Sequence, residues 1–161
     1  TDDLISRTES SSIPRQFDVV ASLEVLEHVD NPAHFLSTCA SLVKPGGHLF
    51  LSTIARTPLA YALTILFAEH LLRKVTVGTH TYSKYVNPDE LVEYFQNYSS
   101  GEGKRTWISK EAKGYLPRHE AEVRGLIYNP LAAKWLLGPR NSMLGAQANY
   151  IFWVRKPLED A

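Results

Sequence analysis

Length, composition and charge limit the classes of protein to which this sequence can belong. The chain has 161 residues, of which 44% are hydrophobic and 21% charged, and its 17 basic residues balance 17 acidic ones. These values predict one globular domain and argue against nucleic acid as a partner, since a nucleic-acid surface normally carries a basic excess. The single cysteine, Cys39, excludes an internal disulfide and fits a reducing compartment.

The first informative stretch is a short apolar run that leads into an acidic turn. Residues 17–22 (FDVVAS) predict a buried parallel strand covered on both faces. Beyond it, Glu24, Glu27 and His28 fall at i, i+3 and i+4, so in helical geometry they share one face at the carboxyl end of the strand. Such a triplet suits a magnesium ion or acid–base chemistry. The alternative is that the acids only stabilise the start of a helix through its dipole.

A helix and a second strand follow this turn. The spacing of apolar residues predicts a helix from Pro32 to Val43, after the capping residues Asp30 and Asn31. The segment KPGG (44–47) predicts a turn, and HLFLSTI (48–54) predicts another buried strand. Together the three elements form a βαβ unit, in which the strands are parallel and the crossover is right-handed.

Residues 58–74 (PLAYALTILFAEHLLRK) predict a helix that is apolar on nearly every side through its first ten residues. The run is shorter than the roughly 20 residues that span a bilayer. It suits a helix lying in a membrane interface, or a lid over a lipid-like substrate tail. Packing in the core or against a second subunit is the alternative.

The next segment, GTHTYSKYV (78–86), predicts an ordered loop. His80, Tyr82 and Tyr85 are candidates to line a pocket for a phenol, with the imidazole as base or hydrogen-bond donor. A loop that only satisfies its own backbone is the alternative. Residues 87–97 then predict a capped helix whose apolar stripe packs in the core.

The last third of the chain predicts a surface insertion and two strands. Residues 98–120 are polar and basic, with a brief strand at Trp107–Ile108. Residues 121–127 and 147–155 predict strands that are antiparallel to each other, and residues 131–137 a short turn or helix.

Several of these segments together resemble the ubiquinone-biosynthesis O-methyltransferases, a family of class I S-adenosylmethionine-dependent methyltransferases. The resemblance rests on FDVVASLEVLEHV and LVKPGGHLFLSTI near the start, and on GTHTYSKYVNPDEL, RGLIYNPL and NYIFWVRKP further along the chain. It implies an α/β fold, the Rossmann-like methyltransferase sheet, of which residues 1–161 supply the fourth to seventh strands. The strands before these, with their glycine-rich cofactor loop, are expected upstream of Thr1.

The resemblance also implies a function and a set of site residues. It implies methyl transfer from S-adenosylmethionine to a polyprenylated catechol, with Leu23 contacting the cofactor and His80 in the substrate pocket. Glu24, Glu27 and His28 match positions that are associated with magnesium in the family. A catechol-bound magnesium ion would lower the pKa of the hydroxyl that attacks the methyl group. By itself this incomplete chain is expected to be inactive.

The family resemblance also implies a location on a membrane surface. It implies a peripheral protein on the matrix side of the mitochondrial inner membrane, or on the cytoplasmic membrane of a bacterium, among other ubiquinone-synthesis proteins. In this interpretation residues 58–86 form an insertion that faces the membrane and covers the substrate. Two other functions fit the same residues: a metal-independent methyltransferase for another small molecule, and an inactive lipid-binding or assembly subunit.

Overall fold

The computed structural model describes residues 15–62, 81–101, 104–110, 116–129, 131–140 and 146–158. It contains an α/β arrangement of five strands and three α-helices within these ranges. The strands are β1 (Phe17–Leu23), β2 (Val43–Ile54), β3 (Ala121–Asn129), β4 (Lys134–Leu137) and β5 (Asn149–Arg155). The helices are α1 (Pro32–Ser41), α2 (Pro58–Tyr61) and α3 (Pro88–Asn97). Short 3₁₀ helices cover Leu26–His28 and Tyr82–Lys84.

All five strands form one sheet in the order β1-β2-β5-β3-β4. Strands β1 and β2 are parallel, whereas β5 is antiparallel to both of its neighbours, β2 and β3. The strands predicted at residues 17–22, 48–54, 121–127 and 147–155 and both of the predicted pairings are therefore confirmed. Because β3 runs in the same direction as β1 and β2, the carboxyl ends of all three strands lie at one edge of the sheet.

The prediction that β1 is buried on both faces is wrong. Its residues are exposed or half-buried, and Val19 is 54% exposed. The physical reason is its position, since β1 is the outermost strand of the described sheet and only β2 pairs with it there. An unpaired strand of this kind is a potential site of aggregation.

Helix α1 begins as predicted and ends two residues early, at Ser41. Asn31 caps it, because its Oδ1 accepts the backbone N–H of His34 at 3.0 Å. The predicted turn at residues 44–47 is instead the start of β2, which pairs irregularly with β1 there. Gly46 has φ +75°, and a side chain on Gly47 would meet the carbonyl oxygens of Asp18 and Lys44 at 2.9 Å. Glycine lets the two strands approach this closely.

The core lies between the sheet and helices α1 and α3. Helix α3 has the predicted capping box, with Asn87 and Glu90 bonding each other's backbone. Its Phe95 stacks on Phe152 of β5 at 5.7 Å between ring centroids. Both rings are fully buried, so the predicted apolar stripe of α3 is confirmed as core packing.

Part of the segment predicted to be a surface insertion belongs to this core. Trp107 is 1% exposed and Ile108 is fully buried, and the Trp107 ring lies 5.3 Å from that of Phe95. The polar composition of the segment gave no indication that Trp107 and Ile108 are buried. The brief strand predicted at Trp107–Ile108 is wrong, because these residues form a bend next to an isolated bridge between Ser99 and Thr106.

The prediction of a turn or helix at residues 131–137 is wrong for its second half. Residues 131–133 turn, and β4 then pairs antiparallel with β3, with Trp135 opposite Tyr128. Aromatic cross-strand pairs of this kind stabilise a hairpin.

The helix predicted at residues 58–74 lies outside the described residues beyond Ala62, and so does His80. Its first turn is described as α2, where the Thr57 side chain accepts the backbone N–H of Ala60. Within the described ranges, no helix is long and apolar enough to cross a membrane.

Candidate active site

The candidate site lies at the edge of the sheet where β1 and β2 have their carboxyl ends. Open α/β sheets bind their ligands at this edge. β1 ends at Leu23, which is 55% exposed there, and β2 ends at Ile54. The acidic turn that follows β1 therefore lies where the sequence places it, beyond the strand end.

Glu24 does not belong to a helix, which corrects the geometry expected from the sequence. Its φ is +54°, and the 3₁₀ helix starts two residues later at Leu26. Glu24 instead extends the ladder, since its backbone N–H lies 3.0 Å from both the carbonyl oxygen and Oγ of Ser52. A left-handed conformation is uncommon for glutamate, and these bonds hold it.

Hydroxyl and amide groups from neighbouring strands bind the Glu24 carboxylate. Ser52 Oγ donates to Oε1 at 2.6 Å, and Asn149 Nδ2 donates to Oε2 at 3.2 Å. Three strands thus meet at one carboxylate: β1 supplies Glu24, β2 supplies Ser52 and β5 supplies Asn149. The Glu24 side chain is consequently held in one orientation at the edge of the sheet.

Glu27 is the more buried of the two acids, with an exposed fraction of 4%. Its Oε2 accepts a hydrogen bond of 2.7 Å from Oγ1 of Thr53, which is itself fully buried. A buried carboxylate requires such a donor, because an unsatisfied one is costly. Consecutive hydroxyl side chains of β2, Ser52 and Thr53, therefore bind the two acids of the turn.

His28 is exposed, and it ends the 3₁₀ helix. Within the described ranges, no group of three or more histidine, cysteine, aspartate or glutamate side chains is arranged to hold a metal ion. As placed, Glu24, Glu27 and His28 therefore do not fit a magnesium site with three protein ligands. The physical reason is that Glu24 lies outside the helical turn that carries the other two residues.

A cavity of about 340 Å³ lies beside this turn, between α1 and α3. Leu26, Leu36 and Leu91 line its apolar part. Lys84 and Asp30 lie at the cavity as an ion pair of 2.8 Å, which lowers the pKa of the aspartate below its usual value. The cavity therefore combines an apolar lining with charged groups.

The two tyrosines predicted beside His80 lie next to this cavity. Tyr85 is 1% exposed and lines it, and Tyr82 packs edge-on against Tyr85 at 5.7 Å between centroids. Tyr150 donates its hydroxyl hydrogen to the carbonyl oxygen of Val86, which follows Tyr85, at 2.7 Å. Burial raises the Tyr150 pKa well above its usual value, and the nearby Glu90 and Glu27 raise it further. Tyr150 is therefore a hydrogen-bond donor near neutral pH.

Sequence reasoning did not identify Ser52, Thr53 and Asn149 as site residues. The sequence did carry a signal, because two consecutive hydroxyl residues at the end of a buried apolar strand (HLFLSTI) need partners. Asn149 gave no such signal, because strand pairing over 125 residues of chain separation brings it to Glu24.

Comparison with known proteins identifies the family. A methyltransferase-domain family model matches residues 3–99. The chain is 43% identical over 151 residues to the mitochondrial ubiquinone biosynthesis O-methyltransferase of Schizosaccharomyces pombe, covering 93% of this chain and 48% of that protein. It is 51% identical over 128 residues to the corresponding protein of Stutzerimonas stutzeri, covering 80% of this chain and 47% of the relative.

A solved structure supports the fold independently. A SAM-dependent methyltransferase from Thermotoga maritima, described as a possible histamine N-methyltransferase, aligns with a TM-score of 0.55 at 15% identity. The alignment covers 88% of this chain and 56% of that one. The chain spans about half the length of the curated relatives it matches. It is part of a class I methyltransferase fold, and it belongs to the methyltransferase-domain family.

Proposed function

We propose that the complete protein carrying this chain transfers a methyl group from S-adenosylmethionine to a ring hydroxyl of a polyprenylated catechol in ubiquinone biosynthesis. The observation that carries this proposal is the similarity to ubiquinone biosynthesis O-methyltransferases, 36–51% identity over most of the chain. The acidic turn at the ligand-binding edge of the sheet agrees with it, because a phenol must lose its proton to attack a methyl group near neutral pH.

In the proposed reaction, the catechol oxygen forms a bond to the methyl carbon as the bond from that carbon to sulfur breaks. S-adenosylhomocysteine leaves with the sulfur electron pair, and the hydroxyl proton passes to a base. Leu23, exposed at the end of β1, is the proposed cofactor contact on this chain. The proposed proton acceptor is a group of the acidic turn, Glu24 or His28, or else His80, which lies outside the described residues. Glu27 is too buried to contact substrate, so we assign it a positioning role.

Magnesium assistance remains a prediction of the family resemblance. If the ion binds at this edge, it would supply Lewis acidity that lowers the pKa of the catechol. The described arrangement does not provide a three-ligand set, and no step proposed here depends on the ion. The anchored carboxylates favour a second candidate function, methyl transfer without a metal, in which the turn acts only through proton transfer and charge.

We further propose a location on a membrane surface, because a polyprenyl tail partitions into lipid. Two of the matching relatives, from Schizosaccharomyces pombe and Dictyostelium discoideum, are described as mitochondrial. Their names support a mitochondrial location, and we propose the matrix face of the inner membrane. Other ubiquinone-synthesis proteins are the proposed neighbours there. The segment 58–86 is the proposed membrane and substrate insertion.

A complementation experiment tests the proposed pathway. The complete protein is expressed in cells that lack their ubiquinone O-methyltransferase, and quinone intermediates are measured by mass spectrometry. We expect ubiquinone to reappear and the unmethylated catechol to disappear. Continued accumulation of the catechol, with the protein folded and expressed, would favour another substrate class or an inactive subunit.

A further inference from the structure

The hairpin formed by β3 and β4 exposes a cluster of large apolar side chains. Leu131, in the turn between the strands, is 99% exposed, and Trp135 of β4 is 58% exposed. Ile127, Tyr128, Leu136 and Leu137 are also about half exposed. The pairs Ile127–Leu136 and Tyr128–Trp135 are consecutive along the strands, so they lie on opposite faces of the hairpin, and Leu131 lies at its tip. Exposed apolar surface of this kind usually marks an interaction site. We call these six residues the hairpin patch.

Asn129 and a pair of aromatic rings hold the part of the hairpin that carries the exposed Leu131. Asn129 Oδ1 accepts the backbone N–H groups of Leu131 and Ala132 at 3.0 and 3.2 Å, which fixes the turn. Behind it, the rings of Tyr128 and Trp135 lie 5.2 Å apart across the two strands. The exposed leucine is therefore presented on a rigid base rather than on a loose loop.

Sheet topology places this turn at the edge of the sheet that carries the candidate active site, which we call the catalytic edge. Strand β3 runs parallel to β1 and β2, so the turn at its carboxyl end lies at the same edge as the acidic turn after Leu23. Leu59 and Tyr61 of α2, which follows the carboxyl end of β2, are also exposed. Apolar side chains that follow two different strands, β2 and β3, thus lie at the edge where the site is.

The charges of the hairpin favour an anionic partner. From residue 123 to residue 140 the sequence contains Arg124, Lys134 and Arg140 but no aspartate or glutamate. Glu122, just before this stretch, lies 3.8 Å from Arg124 and 3.4 Å from Arg140, whereas Lys134 is exposed next to the turn. Segments that contact anionic lipid typically combine apolar side chains, aromatic rings and basic residues. The hairpin has an apolar tip, a pair of aromatic rings and adjacent basic residues.

We propose that the hairpin patch inserts its turn into the surface of an anionic bilayer, so that the catalytic edge faces the lipid. Pairing of β4 with another strand would cover the side of the sheet but not Leu131, which projects from its end. The bilayer is therefore favoured over a second protein chain. This inference rests on the proposed function and deepens it, since it assigns a second element, besides the segment 58–86, that brings the site to a substrate dissolved in lipid.

The test compares two leucines at opposite edges of the sheet. Leu158, which follows β5 at the far edge, is 67% exposed and provides the matched control. The complete protein, Leu131→Glu and Leu158→Glu are floated with vesicles of equal parts phosphatidylglycerol and phosphatidylcholine. We expect Leu131→Glu to reduce the partition coefficient about tenfold or more, and Leu158→Glu to leave it nearly unchanged.

Tryptophan quenching supplies a second measurement that does not depend on a charged substitution. Of the three tryptophans in this chain, Trp107 is buried and Trp153 is half-buried within β5, whereas Trp135 belongs to the patch. Brominated phospholipids should quench the fluorescence of the parent protein, and Trp135→Phe should lose most of this quenching. Equal flotation of the two glutamate variants, or unchanged quenching in Trp135→Phe, would overturn the proposal. So would a parent protein that is dimeric in solution and becomes monomeric on Leu131→Glu.

Flotation and quenching need no turnover, so their failure is distinct from a failure of the proposed function. Turnover of a short-tailed, water-soluble catechol by Leu131→Glu should equal that of the parent, because Leu131 lies outside the proposed catalytic groups. Circular dichroism verifies that the variant is folded. Lost turnover with normal flotation would place Leu131 at the active site and overturn its assignment as a lipid contact.

Discussion

Thr53→Val tests whether β2 holds the acidic turn in place. The substitution removes the hydroxyl that donates to Glu27 Oε2 at 2.7 Å and keeps a side chain of nearly the same shape. Both residues are buried, so the carboxylate would lose its donor in a place that water reaches poorly. Leaving a buried acceptor unsatisfied costs about 2 to 3 kcal/mol, which corresponds to a loss of about 30- to 140-fold in the folding constant.

Urea unfolding of the complete protein at pH 7 measures this loss. Ser22→Ala is the control, because Ser22 Oγ is buried on neighbouring β1 without a hydrogen-bond partner in the described part of the chain. Its removal should change stability little, or raise it slightly, since no bond is lost. Methyl transfer should fall in Thr53→Val, because Glu27 would no longer be fixed. Equal stability of the two variants would refute the reasoning that the hydroxyl anchors the turn.

Three further outcomes are expected. Glu27→Gln in the complete protein should reduce methyl transfer strongly and leave S-adenosylmethionine binding nearly intact; equal loss of both, measured by calorimetry, would indicate that the acid only supports the fold. The residual activity of Glu27→Gln should rise with pH, because the catechol hydroxyl would lose its proton more readily at higher pH. Restoration of the activity of chelator-treated parent enzyme by magnesium would favour the metal-assisted reaction. Burial raises the pKa of the Cys39 thiol from 9.0 to about 11, so the unfolded thiol ionises before the native one and stability should fall between these pH values. The loss should reach about 2 to 3 kcal/mol and be smaller in Cys39→Ala, and identical pH slopes in urea unfolding would contradict it. The 161-residue chain alone should not bind S-adenosylmethionine usefully, since its family resemblance assigns the other half of the cofactor contacts to upstream strands; micromolar binding by a soluble monomer would show otherwise.

Local patterns in the sequence were sufficient to predict most elements of the fold. The apolar runs of β1 and β5, the capped starts of α1 and α3 and the parallel pairing of β1 with β2 all follow from periodicity and capping residues. The failures have one cause in common. The exposure of β1, the burial of Trp107 and the strand at Lys134–Leu137 depend on which elements become neighbours in space.

For the candidate site as well, local sequence patterns predict some features, and others depend on which elements become neighbours in space. Its position follows from the sequence, because a turn that follows a strand of a parallel pair lies at the edge of the sheet where the carboxyl ends meet. Its geometry does not, because Ser52 and Asn149 reach Glu24 through strand pairing and hold it outside the helix. Helical spacing alone would place Glu24 on the same helical face as His28, but Glu24 has a left-handed backbone and precedes the 3₁₀ helix.

Direct observation of methyl transfer tests the central claim. The purified complete protein is incubated with S-adenosylmethionine carrying a ¹³C-labelled methyl group and with a short-tailed polyprenyl catechol, and the product is examined by NMR. The account predicts one labelled methyl group bonded to a ring oxygen, and stoichiometric S-adenosylhomocysteine. A label on ring carbon, or no transfer by a folded protein that binds both ligands, would contradict it.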